Sequence, residues 1–478
     1  MKKILLTTIL AALTFSCSQD FLDKAPNETA SQAQIQDLAE SSPEALLALN
    51  VGQLGATNTF LYEFSTNGGN IHDDFGLMSI GLGLDLMSTD MNMSVNHWFG
   101  RYYNYTGRQE ISRITDMVWN FYYRIITDTN AIITQIPQTA TDPDLLSVLG
   151  RAEALRGMAY MNLIRLYGDG TRGIPLHSQD VSIPGRAPQA DVYQQALEDL
   201  TRAYTHLANY SRPNKTEIDQ NIVAGLLARL HLDMGDYGNA ITMATQARNG
   251  VALMSNAEQL DGFDDISNPE WMWGADVTTA TSTIYASFFS HIGNLNPGYA
   301  GLLNVYKNID KNLYDQISAT DNRLNWFDGP GNGLPMYANT KFIDATFFEG
   351  DYVYMRGAEM YLIEAEARAL SGDDGGAAQT LFNLISTRDA SYTLSTNTGA
   401  TLLDEIRTHK RVEMWGEGLA FYDMKRWNVG LNRDYAGTNH PAFGRFNFAA
   451  GANELTFQIP EDEINANTDI SQSDQNPL

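Results

Sequence analysis

Two short stretches of this 478-residue chain set aromatic rings among amides and guanidinium groups: Asn96-His97-Trp98-Phe99-Gly100-Arg101-Tyr102-Tyr103 and Arg323-Leu324-Asn325-Trp326-Phe327-Asp328-Gly329-Pro330. Sugars have flat C–H faces and a ring of hydroxyls, so a site that holds one needs exposed aromatic planes flanked by Asn, Asp, Arg or Gln. The first stretch offers Trp98 with Asn96 and Arg101; the second offers Trp326 just before a turn. Tyr285 and Tyr299, in the polar region between them, are secondary candidates. Each has a competing role in packing, because large aromatics are mostly buried. Trp98 could be a core tryptophan beside a helix at 110–136, and Trp326 could equally be a packing residue. Trp271 and Trp273 alternate as on a strand, directly after Pro269-Glu270, and are expected to be structural.

Other reactive groupings are weaker. Asp73-Asp74, after His72, could hold a cation or a sugar hydroxyl, but such a pair more often caps and opens a helix, here one at Phe75-Gly76-Leu77-Met78. Arg411, Glu417, Asp423 and Arg426 form a charged helical set expected to make ion pairs that fix the fold. A glycoside hydrolase would need two acids flanking one cleft, roughly 5–10 Å apart. The sequence has no G-x-S-x-G elbow, H-E-x-x-H helix, P-loop or dinucleotide fingerprint. The eight histidines are scattered, and no cysteine follows Cys17, which excludes disulfides and thiolate metal sites beyond it. The expectation is a protein that is not an enzyme, with no catalytic residue, cofactor or metal.

Composition narrows the partners. Hydrophobic residues make up 43% and charged residues 18%, an ordinary globular balance, and the formal net charge is −26. That charge disfavours nucleic acid, which wants a basic face. The chain opens Met1-Lys2-Lys3, then runs apolar from Ile4 to Leu13 and reaches Cys17 through Thr14-Phe15-Ser16. A basic start and a short apolar run have the form of an export signal, too short for the ~20 apolar residues that span a bilayer. Removing Lys2 and Lys3 with it leaves 29 basic residues against 57 acidic ones, a net charge of −28. Ser16-Cys17 resembles a bacterial lipobox, which implies lipidation at Cys17; the alternative is a stray thiol in an ordinary signal peptide. Several acyl chains would suffice as an anchor.

The elements that must position the aromatic stretches are mostly helical. Asp116–Ile136 carries apolar residues at helical spacing and stops at Pro137; Leu145–Tyr167 ends at Gly168-Asp169-Gly170; Val192–Leu207 forms a third helix. In 222–249, Ile222, Leu226, Leu230 and Met234 recur every four residues, and a turn at Gly235 leads to a second helix. This resembles a tetratricopeptide-like (TPR-like) helical hairpin. Ala228, Gly235 and Ala240 are spaced as Ala365, Gly372 and Ala377 are, so a second hairpin is expected. Leu155–Gly168 with 192–207 could be a third. Segment 251–350, rich in Gly, Asn, Asp and Thr, is expected as loops with short strands and helices over this scaffold, where binding residues tend to sit.

Several segments together resemble the SusD/RagB family. They are Cys17–Asp23, Arg156–Asp169 (RGMAYMNLIRLYGD) followed by Ile174-Pro175-Leu176, and Tyr354–Asp373 (YMRGAEMYLIEAEARALSGD). To these add Arg411-x-Glu413, Glu417-Gly418 and Asp423-x-Lys425-Arg426-Trp427, then Ile459–Asn467 and Gln475-Asn476-Pro477. One departure is Leu419-Ala420, where the family often has a basic residue. The resemblance implies a mostly α fold: a TPR-like helical-hairpin scaffold carrying a variable, loop-rich half with short strands. It implies a signal peptide over 1–16, a lipidated Cys17 with a tether over 17–43, an N-terminal helical region over 44–250, a variable ligand-binding region over 251–350 and a C-terminal region over 351–478. It also implies a surface-exposed lipoprotein of the outer membrane that captures oligosaccharides, or peptides in the RagB branch, for a SusC-like TonB-dependent transporter. A surface glycoside hydrolase is the rival reading.

Overall fold

The computed structural model of the chain describes residues 42–66, 71–178 and 181–478. The apolar opening run, Cys17 and the polar segment as far as residue 41 lie outside the described residues. The chain divides into two units, 1–52 and 53–478. Of the first, residues 42–52 are described: they open helix α1 (Pro43–Phe60), where the Asn50 amide donates back to the Leu46 carbonyl at 2.9 Å.

The second unit is built on α2 (Leu77–Met87), α3 (Arg113–Gln135), α4 (Pro143–Tyr167), α5 (Gln189–His206), α6 (Gln220–Asp233) and α7 (Tyr237–Ala247). After a loop-rich stretch follow α8 (Gly357–Leu370), α9 (Asp374–Ile385), α10 (Gly399–Glu413) and α11 (Ala420–Arg426). From α3 to α9 each helix packs on the next, and α10 returns onto α8 and α9. Short polar side chains set the helix starts, as expected where the first N–H groups lack partners. Ser112 accepts from Ile114 N ahead of α3, and Asp142 from Asp144 N and Leu145 N ahead of α4, with Pro143 in the first turn.

The two expected hairpins form as α6–α7 and α8–α9. Gly235 (φ 74°) and Gly372 (φ 84°) turn the chain in the left-handed region that favours glycine. Asp236 and Asp373 then cap the second helices. Ala228, Ala240, Ala365 and Ala377 are fully buried where the paired helices approach. The second hairpin and α10 share an apolar core of Leu362, Leu381, Leu384, Leu402 and Ile406. α4 and α5 pack as a third antiparallel pair, tied by the buried Arg156–Asp199 ion pair at 2.6 and 2.8 Å.

Eight short strands are described: β1 (Met91–Met93), β2 (Leu176–His177), β3 (Ser182–Ile183), β4 (Trp271–Ala275), β5 (Lys307–Ile309), β6 (Tyr352–Arg356), β7 (Leu431–Asn432) and β8 (Asn447–Phe448). They pair antiparallel as β1–β5, β2–β3, β4–β6 and β7–β8. Trp271 and Trp273 are 1% exposed on β4, the structural role their alternation predicts. The β1–β5 ribbon joins chain segments more than 200 residues apart, with Asn92 opposite Asn308.

A buried charge network ties the loop-rich stretch to α10. Glu413 accepts from Arg356 (2.7 Å), Arg388 (2.9 Å) and Arg323 (3.1 Å); Glu270 accepts from Arg356 and Arg388, both at 2.7 Å. Glu417 accepts from Arg356 (2.8 Å) and Lys341 (2.6 Å). Burial alone would raise the Glu413 carboxyl, but Arg388, Arg356 and Arg323 hold it well below the usual carboxylate range. The charged set named from the sequence is spent on structure in the same way. Asp423 binds Lys410 and Arg426, Arg426 also reaches Glu366, and Arg411 pairs with Asp90.

Candidate functional site

The residues from Ser94 to Thr106 leave β1 and form a surface loop and one helical turn, Gly100–Tyr103. Ser94 N donates to Tyr306 O (3.0 Å) and Ser94 Oγ to Asn304 O (2.6 Å), which fixes the loop beside the segment after Tyr299. The aromatic run divides here: Phe99, Tyr102 and Tyr103 turn into the core, while Trp98 stays half-buried and Arg101 exposed. Gly100 lets the Asn96 amide fold over the turn, for a Cβ there would lie 1.8 Å from Asn96 Oδ1.

An open hollow of about 870 Å³ results, lined by Asn96, His97, Trp98, Arg101, Arg113 and Tyr299 among others. The Trp98 ring is fixed on several sides. His72 stacks on it at 5.5 Å and 12°, Tyr299 stands edge-on at 6.5 Å and 77°, and the Arg113 guanidinium is 6.0 Å from its centre. Tyr299 is pinned in turn, its hydroxyl 2.7 Å from His72 Nδ1 and its ring stacked on His291 at 4.7 Å. Asp73 holds Arg113 through both carboxylate oxygens, at 2.5 and 2.6 Å. No Arg101 nitrogen and neither Asn96 amide atom has a hydrogen-bond partner among the described residues, so both offer polar groups to the hollow.

Two buried basic residues, Lys307 and His291, adjoin the lining ring of Tyr299. Burial pushes the Lys307 ammonium down to about 7; its Nζ donates to the carbonyls of His291 (2.7 Å) and Val305 (3.0 Å). Burial, with Lys307 second, lowers His97 and takes buried His291 well below the ordinary histidine value. Neutral rings suit an aromatic wall. Among the described residues, no group of His, Cys, Asp and Glu is placed to hold a metal ion.

Comparison with known proteins agrees with this architecture. A model of the SusD family matches residues 261–478, and a second model, described as "Starch-binding associating with outer membrane", matches residues 20–232. The chain belongs to the SusD family. A SusD-like protein of Bacteroides ovatus is 25% identical over 290 residues, covering 56% of this chain and 49% of its own length, so the chain matches about half of that relative. A solved SusD-like carbohydrate binding protein from Bacteroides vulgatus superposes with a TM-score of 0.79 at 23% identity, covering 90% of this chain and 98% of that one. A laminarin binding SusD-like protein superposes at 0.67 with 20% identity, covering 90% and 99%. At such identities these two structures establish the fold.

The structure brings Asn96, Trp98, Arg101 and Tyr299 to one hollow and separates the other two candidates from it. Trp326 is a correction: it is 0% exposed, its Nε1 donates to Gln259 O at 2.6 Å, and Phe263 and Lys341 close over its ring. Its segment winds into a 3-10 helix, Asn322–Phe327, that presses the indole inward instead of displaying it. Tyr285 is 43% exposed but packs on Phe348 beside exposed Phe347, outside the residues that line the hollow. Asp73 and Asp74 also differ from expectation. α2 starts at Leu77 behind Gly76, whose φ is 77°. Asp74 instead collects the backbone N–H and hydroxyl groups of Ser65 and Thr66. His72 and Arg113 carry no sequence signal for this site: one precedes an acidic pair and the other opens an amphipathic helix, 15 residues from Trp98.

Proposed function

We propose that the chain is a non-catalytic, carbohydrate-binding lipoprotein of the outer membrane, anchored through Cys17 at the cell surface. It captures oligosaccharides in the Trp98 hollow and passes them to a SusC-like TonB-dependent transporter. The observation that carries this is the Trp98 ring, held rigid by His72 and Tyr299 yet open to solvent, with unpaired Asn96 and Arg101 beside it. A ring fixed before the ligand arrives loses little freedom on binding, and the polar groups can meet hydroxyls without first breaking internal bonds. The family model described as starch-binding, and relatives named as carbohydrate and laminarin binders, support the ligand class. The described residues lining the hollow include no Asp or Glu, so the pair of carboxylates that glycoside hydrolysis needs is not offered there. No described helix is long and apolar enough to cross a membrane.

Titration calorimetry of the chain lacking residues 1–16 against a panel of glycans and peptides, with product analysis of the same mixtures, tests the reading. Saccharide binding at micromolar to millimolar Kd without cleavage is expected. Released sugars, or binding of peptides alone, overturns it. Co-purification with a large β-barrel from outer membranes in mild detergent is the expected sign of the transporter partnership.

A further inference from the structure

A second opening, a groove of about 500 Å³, lies where the end of α2, the 311–316 segment, α10 and the stretch after α11 meet. That volume is in the usual range for small-molecule sites. The lining is polar, and several of its groups are unused. Asp404 and the side chains of Asn312 and Asn432 make no hydrogen bond or ion pair among the described residues, and the Nη atoms of Arg407 make no hydrogen bond. Arg407 Nε is shielded from solvent and lies 3.6 Å from Glu366 Oε1, too far to bond. Glu366 already accepts from Arg426 at 2.8 Å and from Trp427 Nε1 at 2.6 Å. The Arg407 guanidinium is therefore placed over the Trp427 ring, at 5.1 Å, with Glu366 only as a shared ion-pair partner and no hydrogen bond to it. Trp427 itself is fixed and forms one wall.

The charge balance selects the ligand. Arg411 is neutralised by Asp90, whereas Asp310 accepts from the uncharged Tyr435 hydroxyl at 2.6 Å and keeps its negative charge. Beside them Asp404 and Arg407, of opposite sign, stand one helical turn apart on α10. An anionic ligand would face Asp404 and Asp310, and a cationic one Arg407. A neutral chain of hydroxyls, each both donor and acceptor, satisfies both together with the two free amides. We propose that this groove is a second saccharide subsite, which binds a neutral pyranose chain through Asp404, Arg407, Asn312 and Asn432 with Trp427 as its wall. The inference rests on the reading of the chain as a saccharide binder.

The β1–β5 ribbon relates the two sites. Asp90 and Asp310 end it at the groove, and Asn96 to Trp98 follow it at the hollow. Asn96 is six positions after Asp90, so their Cα atoms are no more than about 20 Å apart. One extended chain could engage both openings, which would favour long saccharides over short ones.

The test uses maltoheptaose and laminariheptaose with the corresponding disaccharides, followed by calorimetry and hydrogen exchange. Heptasaccharide is expected to protect amides in 96–106 and also in 404–411 and 427–432. The double variant Asp404→Ala, Asn432→Ala removes side chains that bond nothing in the protein, so the fold is retained. It should weaken heptasaccharide about tenfold, the scale of one or two hydrogen bonds to an ionised partner, and leave disaccharide affinity at the hollow unchanged. Protection confined to 96–106, with the double variant binding heptasaccharide as well as the parent does, overturns the groove and leaves the hollow standing. Protection confined to the groove does the reverse. No protection by any of the four sugars overturns both.

Discussion

Replacing Trp98 by alanine removes the largest aromatic plane among the described residues that line the hollow while leaving its polar groups in place. His72 already covers one face of the indole, so a sugar ring can stack only on what remains. Counting carbon surface on both partners, such a stack removes roughly 80–100 Å² from water, about 2–2.5 kcal/mol at about 25 cal/mol per Å². Kd should therefore rise about 30- to 70-fold. The cost to folding is smaller than for a core tryptophan. Trp98 gives up its ring contacts with His72 and Tyr299, each worth about 0.5–1.5 kcal/mol. Trp326→Ala, by contrast, empties a fully buried position and should cost about 3–5 kcal/mol without changing the affinity of the folded fraction. Calorimetry with the tightest member of a glycan panel, paired with chemical denaturation of each variant, reads both quantities. If Trp98→Ala binds within twofold of the parent while Trp326→Ala loses affinity with its fold intact, the assignment of the two tryptophans is wrong.

Three further outcomes are expected. Glu413→Gln strips the shared carboxylate from Arg323, Arg356 and Arg388 in a buried setting and should destabilise the protein by about 3–5 kcal/mol; a loss under 1 kcal/mol in urea denaturation would refute a central role for the network. Burial pushes Asp85 up to about 7, although Gly418 N and Ala420 N donate to it, so between about pH 4 and pH 7 the folded chain retains a proton that the unfolded chain releases. Asp85 thus makes stability fall as pH rises through that window, and Asp85→Asn should remove this slope; parallel stability–pH curves for parent and variant would exclude it. Gly100→Ala places a methyl against Asn96 Oδ1 and should weaken saccharide binding several-fold by displacing that amide, a change calorimetry can compare with Asn96→Ala.

Much of the frame was legible because it is local. Helical periodicity, capping residues and the Gly235 and Gly372 turns act over fewer than about ten residues, and the matching helices lie within a few positions of where their patterns place them. The aromatic run at 96–103 also declares its composition locally, which is why Trp98, Asn96 and Arg101 could be named together. Its partition into buried and open rings could not, because that follows from which side of one helical turn meets the core.

What the sequence alone determined was the kind of surface this chain can offer: a helical scaffold, no thiol chemistry after Cys17, strong negative charge, and aromatic residues among amides. Which aromatics are used was decided only by tertiary structure. Trp98 and Trp326 sit in similar polar-aromatic contexts, yet one is braced open by His72 and Tyr299, 26 and 201 residues away, and the other is sealed under Phe263 and Lys341. Exposure of a ring depends on what packs over it, and those neighbours arrive from distant parts of the chain. The same holds for the charges: Glu413 and Arg407 share helix α10, and only the fold surrounds the first with three guanidiniums and leaves the second facing an open groove.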